Sequence, residues 1–315
     1  MQKQAFVFPG QGAQYVGMGK ELSQHYYSAR KTFKEADEIL GFKLSNIVFN
    51  GTKEALQKTV ITQPAIVTAS IAAFRVLLEQ GILPGAVAGL SLGEYSALVA
   101  AGAMDFEDAV LLVQKRGKYM QEAVPQGEGA MAAIMGLERK KVEELCNQGS
   151  TIGVVEAVNY NCPGQIVIAG KRKAVEETCK IAREAGAKKV ITLAVSVPFH
   201  CRLLQSVEKK MAQELKKIKL SPPSTPFVAN YNASYLYEPQ EIKKALIKQV
   251  SNPVYWEDSM RLLLADGYSR FIEVGPGKTL SSFIKKISSK TWTAQIDNYS
   301  SLQKLVEQFG EVKIS

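Results

Sequence analysis

A serine set between two glycines at the end of an apolar run, Ala86-Val87-Ala88-Gly89-Leu90-Ser91-Leu92-Gly93-Glu94-Tyr95, is the segment of this chain best suited to chemistry. The run reads as a strand that gives way to a helical pattern. A G-x-S-x-G turn at such a junction strains the serine backbone and projects its hydroxyl, and its small flanking residues let neighbouring backbone pass close by. Ser91 is therefore a candidate nucleophile. The competing reading is a serine N-cap, with the glutamate region after it opening an ordinary helix.

A nucleophilic serine needs a base, and the chain offers two histidines. His25 sits in the polar stretch Gln24-His25-Tyr26-Tyr27-Ser28 of an early amphipathic helix and reads as a surface imidazole. His200 ends Val195-Ser196-Val197-Pro198-Phe199-His200, where an apolar strand meets a proline turn. Strand ends are where α/β folds gather catalytic groups. A lone histidine is ordinarily a structural, hydrogen-bonded residue, but the need of Ser91 for a partner makes His200 the expected base. Arg116 is the third residue of interest. Ala109, Leu112, Val113, Arg116 and Met120 recur at helical spacing after Asp105, which places the arginine on the apolar stripe. Either its stem covers the edge of the core while the head reaches water, or the guanidinium meets an anion in the interior.

The elements that must position these residues alternate short apolar strands with amphipathic helices. Ala5–Phe8, a helix near Ala29–Leu40, a helical run from Gln63 to Gln80, the serine turn and Asp105–Ala123 form a βα series. From Gly127 the texture changes. Ala130–Met135, Val154–Tyr160, Gln165–Ala169 and Lys189–Val195 read as strands, with helices at Glu138–Gln148 and Lys173–Ala185. That βαββαβ order is the ferredoxin-like pattern. The expected organisation is an α/β core of residues 1–126 and 197–315 with a small subdomain at 127–196. The core resumes with strands at Phe227–Asn230 and Phe271–Val274.

Composition fits an ordinary globular enzyme, with 46% hydrophobic and 22% charged residues over 315 positions. No long uncharged apolar run and no basic-then-apolar leader stands out, so a cytoplasmic protein without a membrane segment is expected. The four cysteines, Cys146, Cys162, Cys179 and Cys201, lack metal-binding spacing and read as free thiols, and no metal is implied. Cys201 beside His200 reads as a packing residue, since consecutive side chains usually point apart. The net charge of +9 comes with lysine clusters that are not interleaved with aromatics, which argues against nucleic acid.

At this point the chain resembles the malonyl-CoA:acyl carrier protein transacylases. The resemblance rests on the order and spacing of Phe8-Pro9-Gly10-Gln11-Gly12, Thr62-Gln63-Pro64, the serine turn, Gln114-Lys115-Arg116-Gly117, Asn161-Cys162-Pro163-Gly164-Gln165, Pro198-Phe199-His200, Asn252-Pro253-Val254-Tyr255-Trp256 and Glu273-Val274-Gly275-Pro276-Gly277. It implies a hydrolase-like α/β core with a largely parallel sheet, an inserted ferredoxin-like subdomain and a site between them. It further implies a Ser91–His200 dyad whose imidazole is oriented by the backbone carbonyl of Gln249, although the residues alone leave a nearby Asp or Glu open. The oxyanion donors are then the N–H groups of Leu92 and Gln11, the latter in a loop that Gly10 and Gly12 allow to approach a ligand. Arg116 would bind the free carboxylate of malonate, with Gln63 as a polar neighbour. Phe199 would limit bulk at the α-carbon. Asn161 either lines the pocket or shapes the Asn161–Gly164 turn. The family usually has histidine where this chain has Leu90, a change beside the nucleophile that alters packing.

The same resemblance implies no cofactor, coenzyme A entering as part of the substrate. It also implies acyl carrier protein as partner, to which residual basic surface is suited, and a monomer is expected. Two other readings compete. A hydrolase of the same fold would be expected to lack the arginine, and a noncatalytic carrier-binding module would be expected to lack the serine or histidine.

Overall fold

The computed structural model describes residues 3–195 and 197–312. Its first part runs β1 (Lys3–Phe8), α1 (Lys20–His25), α2 (Tyr27–Leu40), α3 (Leu44–Asn50), α4 (Lys53–Leu56), α5 (Thr59–Glu79), β2 (Ala86–Gly89), α6 (Gly93–Ala100) and α7 (Phe106–Ala123). A middle section follows: β3 (Gly129–Met135), α8 (Arg139–Gly149), β4 (Val155–Cys162), β5 (Gln165–Lys171), α9 (Arg172–Glu184) and β6 (Lys189–Thr192). The last part comprises α10 (Gln205–Lys217), β7 (Phe227–Ala229), β8 (Ser234–Tyr235), α11 (Pro239–Gln249), α12 (Trp256–Ala265), β9 (Tyr268–Val274), α13 (Thr279–Ile287), β10 (Trp292–Ile296) and α14 (Tyr299–Val312).

Two sheets result. The larger has the order β10-β9-β1-β2-β7-β8 and is parallel except for the short β7–β8 hairpin. Its central strands β1 and β2 are near-continuous apolar runs because both faces are covered, as a parallel sheet requires. The smaller sheet has the order β4-β5-β3-β6, all antiparallel, and is built wholly from the middle section in βαββαβ order. Two of the strands in the larger sheet were not anticipated. Both β8 and β10 lie at its edges and carry few fully buried residues, so their apolar signal is weak.

Two expectations need correction. The strand expected to reach Val195 ends at Thr192, because the Val195 N–H turns back onto the Leu193 carbonyl at 2.8 Å and the chain leaves the small sheet. The apolar run in α5 is also longer than anticipated, 21 residues with Arg75 and Glu79 as its charges. Among the described residues one helix is therefore long and apolar enough to cross a membrane, but 83% of its most apolar window is buried inside the protein, where it packs against α2, α6, α7 and β9.

The small sheet is tied to the rest of the protein through the segment between α11 and α12. Val254 exchanges backbone hydrogen bonds with β4, accepting from Tyr160 N–H at 3.0 Å and donating to Val158 at 2.8 Å. Tyr160 stacks on Tyr255 at 5.3 Å, and Arg139 covers Tyr160 at 3.9 Å while pairing with Asp258 at 3.0 Å. These contacts fasten β4 of the small sheet to α12 and the segment before it.

Candidate active site

The turn after β2 owes its shape to glycine. A Cβ on Gly89 would fall 2.0 Å from the Gly93 carbonyl, and one on Gly93 would fall 2.1 Å from the Phe8 carbonyl. Only hydrogen at both positions lets β2 reverse into α6 against the end of β1. Ser91 between them has φ 52°, in the left-handed region that a non-glycine residue occupies only when its surroundings enforce it. Its side chain caps no helix, so the N-cap reading does not hold.

The enforcement is visible. Asn230, directly after β7, straddles the turn: its side-chain amide donates to the Gly89 carbonyl at 2.7 Å and accepts from the Ser91 N–H at 2.6 Å. On the other side, the Gln249 side-chain amide donates to the Ser91 carbonyl at 2.8 Å.

His200 also has a positive φ, 64°, and is almost wholly buried. Ser91 Oγ lies 2.6 Å from its Nε2, and its Nδ1 lies 2.7 Å from the Gln249 backbone carbonyl. A carbonyl can only accept, so Nδ1 carries the proton and the Nε2 lone pair faces the serine. Burial, then the neighbouring Arg116 charge, pushes the imidazole down to about 3, against a smaller opposing effect of the Gln249 hydrogen bond. At neutral pH it is uncharged and able to take the serine proton. His25 is exposed and stacks on Tyr299 at 4.0 Å, and Cys201 turns its buried thiol to the Pro198 carbonyl.

Arg116 lies on the buried stripe of α7 and is 2% exposed. It donates to Gln63 Oε1 at 3.1 Å, to Gln249 Oε1 at 3.0 Å and to Ser91 Oγ at 3.2 Å, and stands over the Tyr95 ring at 5.7 Å. Its Nε is buried and has no partner among the described residues. The head therefore does not reach water. It is a cation beside the nucleophile, with donor capacity to spare for an anion. Gln63 links onward to the Gln11 side chain at 3.4 Å.

The loop carrying Gln11 lies against the serine turn because a Cβ on Gly10 would fall 2.4 Å from the Leu90 carbonyl. The same absent atom would be 3.8 Å from the Leu92 nitrogen, so the Gln11 loop and the residue after the nucleophile are neighbours. Among the described residues neither the Leu92 nor the Gln11 N–H has a hydrogen-bond acceptor. Two unengaged amides therefore lie on the loops that meet at the Ser91–His200 pair.

Ser91, His200, Arg116, Gln63, Gln11, Leu92 and Gln249 thus come together. Phe199 is buried next to the base, its ring centroid 6.5 Å from the imidazole. Asn161 stands apart from the network: its buried Oδ1 has no partner among the described residues, and the β4–β5 turn is made by Pro163 and Gly164, the latter at φ 68°. Leu90 is partly buried against the core cluster that includes Val254 and Trp256. Sequence reasoning missed Asn230, Glu94 and the side-chain role of Gln249. A signal for Glu94 was present, since it is the only charge in the apolar helix α6.

The acyl transferase domain family matches residues 5–306. The malonyl CoA-acyl carrier protein transacylase of Bacillus subtilis is 44% identical over 312 residues, covering 99% of this chain and 98% of that protein. The Escherichia coli K12 protein of the same name is 45% identical over 304 residues, covering 96% and 98%. Among solved structures, a malonyl-transacylase in complex with its type II PKS acyl-carrier protein superposes with a TM-score of 0.95 at 41% identity, covering 97% of this chain and 99% of that one. The Clostridium perfringens malonyl CoA-acyl carrier protein transacylase gives 0.96 at 40% identity, covering 99% and 98%. Matched by that family model over residues 5–306 and by these relatives over nearly its whole length, this chain belongs to the acyl transferase family, on the branch of the malonyl CoA-acyl carrier protein transacylases.

Proposed function

We propose that this enzyme moves a malonyl group from malonyl-CoA to the phosphopantetheine thiol of acyl carrier protein through an ester on Ser91, supplying extender units for fatty acid synthesis. The observation that carries the residue assignment is the guanidinium of Arg116 donating to the same Oγ that donates to His200. A carboxylate bound by that cation is held within reach of the nucleophile.

In the first half-reaction His200 Nε2 takes the Ser91 proton as Oγ bonds to the thioester carbonyl carbon. The oxyanion collects the Leu92 and Gln11 N–H groups, each such donor supplying about 3 kcal/mol. Collapse breaks the carbon–sulfur bond, and the imidazolium returns its proton to the departing coenzyme A sulfur. In the second half-reaction His200 takes the proton of the carrier thiol, whose sulfur attacks the ester, and Ser91 leaves with that proton. The imidazole rests uncharged at neutral pH, so its Nε2 lone pair is free to take the proton in each half-reaction. Gln63 and Gln249 hold the arginine, which gives the carboxylate a fixed partner through both halves.

The reading extends to organisation. The described residues within 1–126 and 197–315 are the catalytic core and those within 127–196 a small subdomain, with residues 1–2, 196 and 313–315 lying outside the described residues. The enzyme works as a cytoplasmic monomer without a cofactor, coenzyme A being part of the substrate. Transfer is tested by incubating enzyme, malonyl-CoA and holo carrier protein and weighing the carrier. Malonyl-carrier formed with ping-pong kinetics is the expected result, and hydrolysis to free malonate without loading of the carrier refutes it.

A further inference from the structure

The malonyl-transfer reading leaves one buried ionisable residue beside the dyad without a role. Glu94 is 1% exposed, and both of its carboxyl oxygens face donors: Oε1 accepts from the Asn230 backbone N–H at 2.5 Å, and Oε2 accepts from the Gln249 side-chain amide. Acceptance at both oxygens is the hydrogen-bonding pattern of the carboxylate form. We propose that Glu94 is a positioning residue which, acting through Gln249 and Asn230, holds the serine, the histidine and the arginine in register for malonyl transfer.

The argument follows the hydrogens. Gln249 Nε2 has two, one given to Glu94 and one to the Ser91 carbonyl, so its Oε1 is left for Arg116. Its backbone carbonyl takes the Nδ1 proton of His200. One acidic side chain therefore dictates which way the Gln249 amide faces, and the amide in turn anchors the arginine and the nucleophile backbone. On the other side Glu94 holds the Asn230 backbone, whose side chain fixes the Ser91 N–H. Burial pushes the Glu94 carboxyl up to about 8, the two donors and the Arg116 charge offsetting only part of that, while the N–H groups aimed at both oxygens leave no acceptor there for a carboxyl proton.

The inference rests on the malonyl-transfer reading, and its first test is Glu94→Gln. The Asn230 N–H is backbone and cannot turn, so the new amide must aim its NH2 at Gln249. Gln249 then meets a donor with a donor. If it flips to accept, its own NH2 faces Arg116. The expected result is a fall in kcat/KM of about a hundredfold for malonyl-CoA and about tenfold for acetyl-CoA, so that the ratio drops about tenfold, largely through KM. A parallel fall with the ratio unchanged overturns the proposal, because a merely structural residue affects both substrates alike.

The second test holds even if that variant does not fold. Gln249→Glu sets carboxylate against carboxylate and also removes the donor to the Ser91 carbonyl, whereas adding Glu94→Gln restores donor to acceptor between positions 94 and 249 and leaves the Ser91 loss unchanged. The double variant should therefore melt above Gln249→Glu by about 3 °C or more, or fold where it does not. A double variant no more stable than Gln249→Glu overturns the proposal. A wild type without malonyl preference refutes the functional reading itself, while the melting comparison still decides the role of Glu94.

Discussion

Replacing Arg116 by alanine separates recognition of the acyl group from the chemistry performed on it. The substitution removes a buried guanidinium that donates to Gln63, Gln249 and Ser91 Oγ and has its Nε unpartnered. For malonyl-CoA the loss is a bidentate charge-assisted pair in a dry site. At about 1.5–3 kcal/mol for each hydrogen bond to a charged group, two are worth about 3–6 kcal/mol. Each ~1.4 kcal/mol is tenfold in rate, so acylation should slow by about 10² to 10⁴. Acetyl-CoA has no carboxylate to lose. It forfeits only the donation to Oγ, about 1 kcal/mol, and gains room where the arginine stood. The assay is single-turnover acylation followed by rapid quench and intact mass, with both thioesters on wild type and variant. The malonyl-to-acetyl ratio should fall at least about tenfold, with the melting temperature recorded because Gln63 and Gln249 lose a buried donor. Equal loss for the two substrates would show that Arg116 holds the pocket together and does not read the carboxylate.

Two further predictions concern the base and its neighbour. His200 is buried neutral with its basicity depressed to about 3 from an ordinary 6.5, so the unfolded chain binds a proton that the folded one refuses. Stability from this residue is unaffected above pH 6.5 and is lost as pH falls towards 3; between pH 6.5 and 5 the loss is about 2 kcal/mol. Urea titrations at pH 7 and pH 5 should show it in wild type and not in His200→Ala, which should also acylate far more slowly; an identical acid loss in the variant contradicts the assignment. Phe199→Ser should relax discrimination against methylmalonyl-CoA more than it lowers malonyl transfer, since a branch at the α-carbon has little freedom once both ends of the acyl group are held. Near-equal kcat/KM for the two thioesters in the wild type would refute the gate.

Much of the fold was legible because local pattern and final burial agree. The βαββαβ order of 129–192 follows from alternating strand and helix periods, and the stripe on α7 carries Arg116 into the interior as its spacing requires. The serine turn was legible through its glycines, whose missing side chains are demanded by backbone approaches as close as 2.0 Å. What escaped was long-range polarity. Asn230 lies 136 residues from Glu94, and Gln249 lies 155 residues from it. No local pattern tells a surface asparagine from one that clamps a distant turn. The edge strand β10 escaped for a different reason: half-buried along most of its length, it lacks the continuous apolar run that marks β1.

The covalent intermediate on Ser91 is the point on which every other assignment depends. Mixing the enzyme with malonyl-CoA in the absence of carrier protein, then measuring intact mass and mapping the modified peptide, reads it directly. The predicted result is a single malonyl adduct on the peptide containing Gly89-Leu90-Ser91-Leu92-Gly93, absent in Ser91→Ala and discharged when holo carrier protein is added. A malonyl adduct that persists at full yield in Ser91→Ala, or transfer to the carrier with no enzyme-bound intermediate, would contradict the account.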